Sequence, residues 1–336
     1  MDIRPLDPLD DTALRAWHAT YLASTTHDRP HATPWMLEEV RADLTSDRPG
    51  EKAHAFSGVV DGRVAAAGMV ELPLKDNLTK AWLQVDTLPE LRRRGYGAAM
   101  LEHLTEFARE HERAVLLAEA AYPFDAPADG GDHPHAVFLR QHGFTFGLGD
   151  VQRVLDLPAD TAVLRGLAKD AEPFHTGYGI RQFRGAVPED IVEAFGELIG
   201  QLVVEAPMGE IDLEPEVLDV QRIRADEVMF AQSGRMKYTT VAVAPDGVLA
   251  GYTELVVPAH DPGRVYQWGT LVRRDHRGHR LGQALKARNL LWLQDERPDL
   301  RLLTTYNAEV NSHMIGVNDK MGFRPVERLG EFQKHL

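Results

Sequence analysis

The alternation of apolar and polar positions makes two passes through one pattern. Apolar residues at three- and four-residue spacing predict helices over Thr12–Ala23 and Trp35–Leu44, and again over Glu189–Val204 and Leu218–Ala225. Each helical pair is followed by two-residue alternation broken by a turn. The first such hairpin is Val59-Val60, Asp61-Gly62 and Val64–Val70. The second is Tyr238–Ala244, Pro245-Asp246-Gly247 and Val248–Val257. A third strand is predicted at Ala81–Asp86 and at Val265–Val272. Each runs into a basic, glycine-containing loop and then a long helical pattern, Ala98–His111 or Gln283–Gln294. A further strand, Val115–Glu119 or Arg301–Thr305, and a short helix ending at Gly-Phe close each pass.

Local landmarks recur in the same order at a nearly constant separation. Ile3-Arg4-Pro5 returns as Ile180-Arg181-Gln182, and Gly68-Met69-Val70-Glu71-Leu72 returns as Gly251-Tyr252-Thr253-Glu254-Leu255. Arg92 with Gly97 returns as Arg277 with Gly282, and Gly143-Phe144 as Gly322-Phe323. The chain is therefore read as two copies of one domain, 1–157 and 178–336, joined by a polar, weakly periodic linker, 158–177. The element order predicts an α+β fold, in which each copy is a mixed, mostly antiparallel sheet flanked by helices.

Composition narrows the function. The 336 residues are 43% hydrophobic and 26% charged, as in an ordinary globular protein. Lys and Arg total 37 against 51 Asp and Glu, a net charge of -14, which argues against nucleic acid as a partner. There is no cysteine, which excludes disulfides, thiolate metal sites and thiol nucleophiles. The start MDIRPLDPLDD lacks a basic, then apolar, leader, and no apolar run nears the roughly 18 residues of a membrane span. A cytoplasmic protein without membrane partners, monomer or homodimer, is expected. His133-Pro134-His135 lacks a third ligand, so no metal is expected.

The chemistry concentrates in the basic loops. Thr87-Leu88-Pro89-Glu90-Leu91-Arg92-Arg93-Arg94-Gly95-Tyr96-Gly97-Ala98 lies between a predicted strand and helix. Glycines permit tight turning and close backbone approach. Free amides at a helix start attract anions, and arginines add charge-assisted donors. Together they form a pyrophosphate cradle. The loop is too short for a Walker A motif, and no parallel crossover suits a dinucleotide fold.

The spacing Arg92-x-x-Gly95-x-Gly97-Ala98 after a strand, with the preceding hairpin and Gly143-Phe144 beyond, resembles the acetyl-CoA loop of the GNAT acetyltransferase superfamily. The resemblance covers both halves and is similar to the tandem GNAT proteins of actinobacteria, a group that includes mycothiol synthase. It implies that Val85, Asp86 and Thr87 bond the pantetheine arm of acetyl-CoA, and that Arg92, Arg93, Arg94, Gly95, Tyr96, Gly97 and Ala98 hold its pyrophosphate. In the second copy the implied contacts are Thr270, Leu271 and Val272, then Arg277, Gly278, His279, Arg280, Leu281, Gly282 and Gln283. Arg280 stands where the family has its first glycine; it either pairs with a phosphate or blocks the approach. His276 and His279 are candidate phosphate donors.

Asn311 matches the family's arm-binding asparagine, or is a helix N-cap. Asn318 and Leu139 stand where a tyrosine usually protonates the departing thiolate, and an amide is no proton donor. Asp132 is placed opposite Asn311, and the segment from Tyr122 to His135 reads as a loop. Glu254, with Glu71 as its counterpart, is the candidate base, and Tyr266 and Tyr306 are candidate acids. Glu205, Glu210, Asp212, Glu214, Glu216 and Asp219 suggest an acidic lid that steers cations. Polar strand content tilts the chemistry toward the second copy. The expected activity is direct acetyl transfer to a small, cationic, metabolite- or antibiotic-like amine. A mycothiol-synthase-type acceptor and a non-catalytic acyl-CoA-binding protein are the alternatives.

Overall fold

The computed structural model describes residues 1–205 and 209–336. In chain order the elements are β1 (Asp2–Pro5), α1 (Asp11–Thr26), α2 (Leu37–Thr45), β2 (Glu51–Val60), β3 (Arg63–Pro73), β4 (Lys80–Thr87), α3 (Tyr96–Glu110), β5 (Val115–Pro123), α4 (Pro134–Gln141) and β6 (Thr145–Asp156). There follow α5 (Thr161–Ala171), β7 (Gly179–Arg184), α6 (Val192–Gly200), α7 (Leu202–Glu205), α8 (Val220–Gln232), β8 (Arg235–Val243), β9 (Leu249–Pro258), β10 (Arg264–Val272), α9 (Leu281–Glu296), β11 (Leu302–Ala308), α10 (Ser312–Met321) and β12 (Arg324–His335).

The chain divides into two units. Unit 1 comprises residues 1–149, 209–211 and 327–336; unit 2 comprises 150–208 and 212–326. The sheet of unit 1 runs β1-β2-β3-β4-β5-β12. All its pairs are antiparallel except β4 with β5. The sheet of unit 2 runs β7-β8-β9-β10-β11-β6, with β10 and β11 as its parallel pair. The strand after each Gly-Phe is thus exchanged: residues 327–335 of β12 complete unit 1 beside β5, and residues 150–156 of β6 complete unit 2 beside β11.

Helix starts follow cap chemistry. Asp10 accepts from the amides of Thr12 and Ala13, Asp160 from Ala162 and Val163, and Asp219 from Arg222. In unit 1, α3 sets Met100, Leu101, Leu104 and Ala108 against Phe56, Val70, Leu116 and Phe332 on one sheet face. On the other face, Leu14, Trp17 and Tyr21 of α1 and Val40 and Leu44 of α2 pack on Ala53, Ala55 and Ala67. In unit 2 the corresponding layers are α9 on Tyr238, Leu255, Val265 and Leu303, and α6 on Val241, Tyr252 and Leu271.

Four features differ from the sequence reading. The segment 158–177 holds α5 and a 3₁₀ turn, Glu172–Phe174, because Asp160 caps a helix whose Leu164, Ala168 and Ala171 are buried. The helix predicted over Glu189–Val204 is divided into α6 and α7. The segment 122–135 is not all loop: His133 caps α4, so the cap opposite Asn311 is His133 and not Asp132. Finally, Glu71 pairs with Trp82, whereas Glu254 lies opposite a bulge between Gln267 and Thr270. Gly251 pairs with Val272 and Ala66 with Thr87, the last strand residue before each loop. Counted from the loops, the true counterpart of Gly251 is Ala66, and Glu71 and Glu254 are not equivalent.

Lys286 on α9 is 1% exposed, its Nζ 5.6 Å from the Phe323 ring centroid. Burial pushes its ammonium down from 10.5 to about 7. The unfolded chain therefore binds more protons than the folded one between those values, so stability rises with pH across that window. Lys286→Met is expected to raise the melting temperature at pH 6–7, with the gain over the native chain shrinking toward pH 10. Calorimetric melting curves at both ends of the window check it.

Candidate functional site

Both parallel pairs break off early. In unit 1, β4 pairs with β5 only from Lys80/Val115 to Leu83/Ala118, so Gln84 to Thr87 of β4 have no strand on that side. In unit 2, β10 pairs with β11 only from Arg264/Leu302 to Gln267/Thr305. Each gap leads to a loop and the first turn of a long helix, where backbone amides lack helical acceptors.

The two loops have one backbone shape but different surroundings. Each has two left-handed residues: Arg93 (φ 64°) and Gly95 (φ 85°) in unit 1, Gly278 (φ 85°) and Arg280 (φ 51°) in unit 2. Each also has one arginine tied to the strand that feeds it. Arg92 Nε donates to the Thr87 carbonyl (3.4 Å), and its Nη2 to Ser24 O (3.2 Å) and Oγ (3.3 Å). Arg277 Nε donates to the Val272 carbonyl (3.3 Å) and its Nη2 to Glu205 Oε2 (2.7 Å). These arginines pin the loops.

In unit 1 the cradle is open. Arg93, Arg94, Gly95 and Ala99 are exposed, and Tyr96, Gly97 and Ala98 are half-buried. A Cβ on Gly97 would lie 3.1 Å from Thr87 Oγ1 and 3.7 Å from the Phe138 ring, so glycine keeps this space clear. In unit 2 the first turn, Leu281 to Gln283, is buried, and α5 and the following turn pack on it. Gln283 Nε2 donates to the Leu167 carbonyl (2.9 Å), and the His279 ring bonds the Phe174 carbonyl (2.8 Å). His276 bonds the Tyr178 hydroxyl (2.9 Å). The Arg280 guanidinium lies 3.8 Å from the Phe174 ring centroid and donates to the Asp170 carbonyl. Arg280 is thus engaged by the Phe174 ring and the Asp170 carbonyl, and both histidines have partners.

Beside the unit 1 gap stands Asp86. It is buried and accepts from Thr25 Oγ1 (3.4 Å) and Gln84 Nε2 (2.9 Å). Burial pushes its carboxyl up to about 6, against the opposing pull of hydrogen bonds from Ser24, Gln84 and Thr25 and of the Arg29 charge. Such a carboxylate is ionised at neutral pH yet basic enough to accept a proton. His135, on the first turn of α4, bonds the Ala121 carbonyl through Nδ1 (3.0 Å), and burial lowers it to about 4, so the ring is neutral.

The sequence profile of the acetyltransferase (GNAT) family matches residues 14–144 and 208–323. The chain belongs to the GNAT acetyltransferase family. Among solved structures, a tandem GNAT protein from the clavulanic acid biosynthesis pathway is 27% identical, with a TM-score of 0.78 over 99% of this chain and 98% of that one. A GCN5-related N-acetyltransferase from Sphaerobacter thermophilus (18% identity, TM-score 0.63, 99% and 95% covered) and one from Kribbella flavida (13%, 0.52, 100% and 71%) share the fold. No curated protein matches by sequence.

Within this tandem GNAT frame the remaining sequence-derived residues are scattered. Val85, Asp86 and Thr87 lie on the free half of β4, and Thr270, Leu271 and Val272 on the free half of β10. The Gln267 amide fills the β10 bulge, donating to the Glu254 carbonyl (2.7 Å) and Thr253 Oγ1 (3.1 Å). Glu254 is buried, 3.4 Å from Lys237 Nζ. Tyr266 lies in the paired half of β10, its hydroxyl 3.3 Å from Asp261 Oδ2 before the strand, so it does not reach the loop end. Tyr306 is the first residue past the last β10–β11 pair, at the mouth of the gap. Asn311 caps α10, accepting from the Met314 amide (3.2 Å). Asn318 is buried and donates to Asn307 Oδ1.

Of the acidic segment, Glu205, Glu216 and Asp219 join Glu193 and Glu197 around a cavity of about 850 Å³ in unit 2, while Glu210 belongs to unit 1. Among the described residues no His/Asp/Glu cluster suits a metal, and no helix is long and apolar enough to cross a membrane. Sequence reasoning missed the cover that α5 places on α9. The signal was present in Asp160 and the spacing of Leu164, Ala168 and Ala171.

If Arg92 preorganises the loop, Arg92→Ala should weaken coenzyme A binding about ten-fold, roughly 1.4 kcal/mol, with little change in melting temperature. Titration calorimetry and a thermal melt check both parts.

Proposed function

We propose that this GNAT protein transfers the acetyl group of acetyl-CoA directly to the amine of a small cationic molecule, with the chemistry in unit 1. The observation that carries this reading is the open cradle of unit 1, fed by a strand that bears Asp86. The residues fit the coenzyme: the space kept clear by Gly97, the exposed Arg93 and Arg94 and the first-turn amides of α3 suit a pyrophosphate. The free edge of Gln84 to Thr87 suits an extended, amide-bearing arm.

Acetyl-CoA supplies an activated thioester carbonyl. The chain's own part is to orient the arm along β4 and to take a proton from the attacking amine at the Asp86 carboxylate. Neither family tyrosine position carries an acid, and none is required. A thiol of ordinary pKa near 8.5 leaves as a thiolate and is protonated by water. With no cysteine there is no acyl-enzyme on sulfur.

The net charge of -14 supports a cationic acceptor. The likeness to a protein of a secondary-metabolite pathway supports a small metabolite over a protein substrate. A sugar-linked amine of the mycothiol-synthase type falls in the same chemistry. The burial of the first turn of α9 under α5 supports a non-catalytic role for that copy, although Arg277, Gly278 and Arg280 of its loop are exposed and a cavity rich in carboxylates, with Arg273 and Arg274 in its lining, lies beside it.

Calorimetry should give one coenzyme A per chain, abolished by Gly97→Glu and retained in Gly282→Glu; the reverse pattern moves the chemistry to unit 2. With acetyl-CoA and an amine panel, monitored by free thiol, kcat/KM should fall below pH about 6 as Asp86 takes up a proton. Asp86→Asn should lower kcat at least a hundred-fold. Binding of the coenzyme without turnover of any amine would leave the non-catalytic reading.

A further inference from the structure

The unit 1 site holds an ion pair that no motif announces. Arg29, just beyond α1, donates through Nε to Glu327 Oε1 (2.7 Å) and through Nη2 to Oε2 (2.8 Å). Its Nη1 reaches the Thr25 carbonyl (3.2 Å). Thr25 is also the residue whose hydroxyl reaches Asp86. Thr25 thus touches both the guanidinium and the carboxylate, and the arginine's fork is turned to β12. Both partners are largely buried, with side-chain exposures of 18% and 11%. Glu327 pairs with Pro123 on β5, at the wide end of the gap.

We propose that Glu327, on the last strand of the chain, is a positioning residue of the unit 1 site: it holds Arg29 away from Asp86 and neutralises it, leaving Asp86 free to accept a proton. The inference rests on the proposed role of Asp86. A guanidinium released toward Asp86 would form a bidentate pair with it, which favours the ionised carboxylate and weakens it as a base. Bidentate capture by Glu327 prevents this, and its negative charge offsets what remains of the arginine's field. The other charged groups facing the site are Arg92, His133 and His135; burial lowers both histidines most, Glu327 raises His133, and Arg29 lowers both. Arg92 is tied to Ser24 and Thr87, His133 caps α4, and His135 lies on its first turn. Strand exchange therefore has a functional consequence: the site formed by the first repeat is completed by a residue of the second repeat's last strand.

The test reads Asp86 directly in the full chain. Carboxyl ¹³C shifts of aspartate-labelled protein are followed against pH, with Asp86→Asn identifying the resonance. Glu327→Gln, which keeps the shape, should lower the Asp86 midpoint by about one unit, a ten-fold change in its proton affinity. Arg29→Met should raise it, and the double variant should return toward the native value. Midpoints unmoved in both single variants would overturn the proposal, as would equal downward shifts in both. In the amine assay, Glu327→Gln should lower kcat more than KM and carry the acid limb down with the midpoint. A midpoint that moves while the limb stays would retain the Glu327 coupling and remove Asp86 from the chemistry. A variant that fails to fold is replaced by Glu327→Asp, which keeps the charge, shortens the reach and should shift the midpoint less than Gln.

Discussion

A parallel strand pair that stops after four residues is the constraint on which the rest depends. Backbone amides and carbonyls must find partners, and buried strands rarely leave a row of them unmet. Between β4 and β5 the ladder ends at Leu83 and Ala118, and the β4 residues beyond it pair with β3 alone among the described strands. A ligand with its own amides can complete that edge. The loop at the end of β4 then lies where the ligand's anionic end would fall. Arg92 ties that loop both to the strand it leaves and to α1 across the sheet.

The strand on the outer side of β5 is what lets the gap stay open. Residues 327–335 of β12 pair with the whole of β5, from Val115 with His335 to Pro123 with Glu327. β5 thus keeps a partner from the far end of the sequence along the stretch where its pairing with β4 has ended. The same arrangement recurs in unit 2, where β6 supports β11. The exchange places a charged residue, Glu327, where a strand from the same repeat would have placed one of its own.

Much of this was legible in the chain. The hairpins, the loop-helix boundaries and the repeat follow from alternation, turn residues and glycine spacing, because those signals are local. What was not legible depends on contacts between distant residues. Nothing in Arg29 or Glu327 marks a pair 298 positions apart. The terminal strands β6 and β12 were unread, since which sheet they join is set by packing. The equivalence of Glu71 and Glu254 failed for a local reason that sequence hides: one extra residue in the β10 bulge shifts the register of everything beyond it. The partner of Arg280, the Phe174 ring, lies in a segment read as linker, so that contact has no local signal in the chain.

The two loops also explain how a duplicated site can diverge without losing its fold. A left-handed residue at the helix start is required in both copies, and glycine meets that requirement without strain. Arginine at the same place carries a conformational cost, which the stack on Phe174 and the bond to the Asp170 carbonyl help to offset. Those partners come from α5 and the turn after it, the same segment that buries the first turn of α9. The arginine at the helix start and the packing of α5 on α9 are therefore linked: the segment that the side chain touches is the one that packs on the helix. The open glycine loop of unit 1 has no such anchor among the described residues, and the difference between Gly95 and Arg280 marks in the sequence where the two loops part.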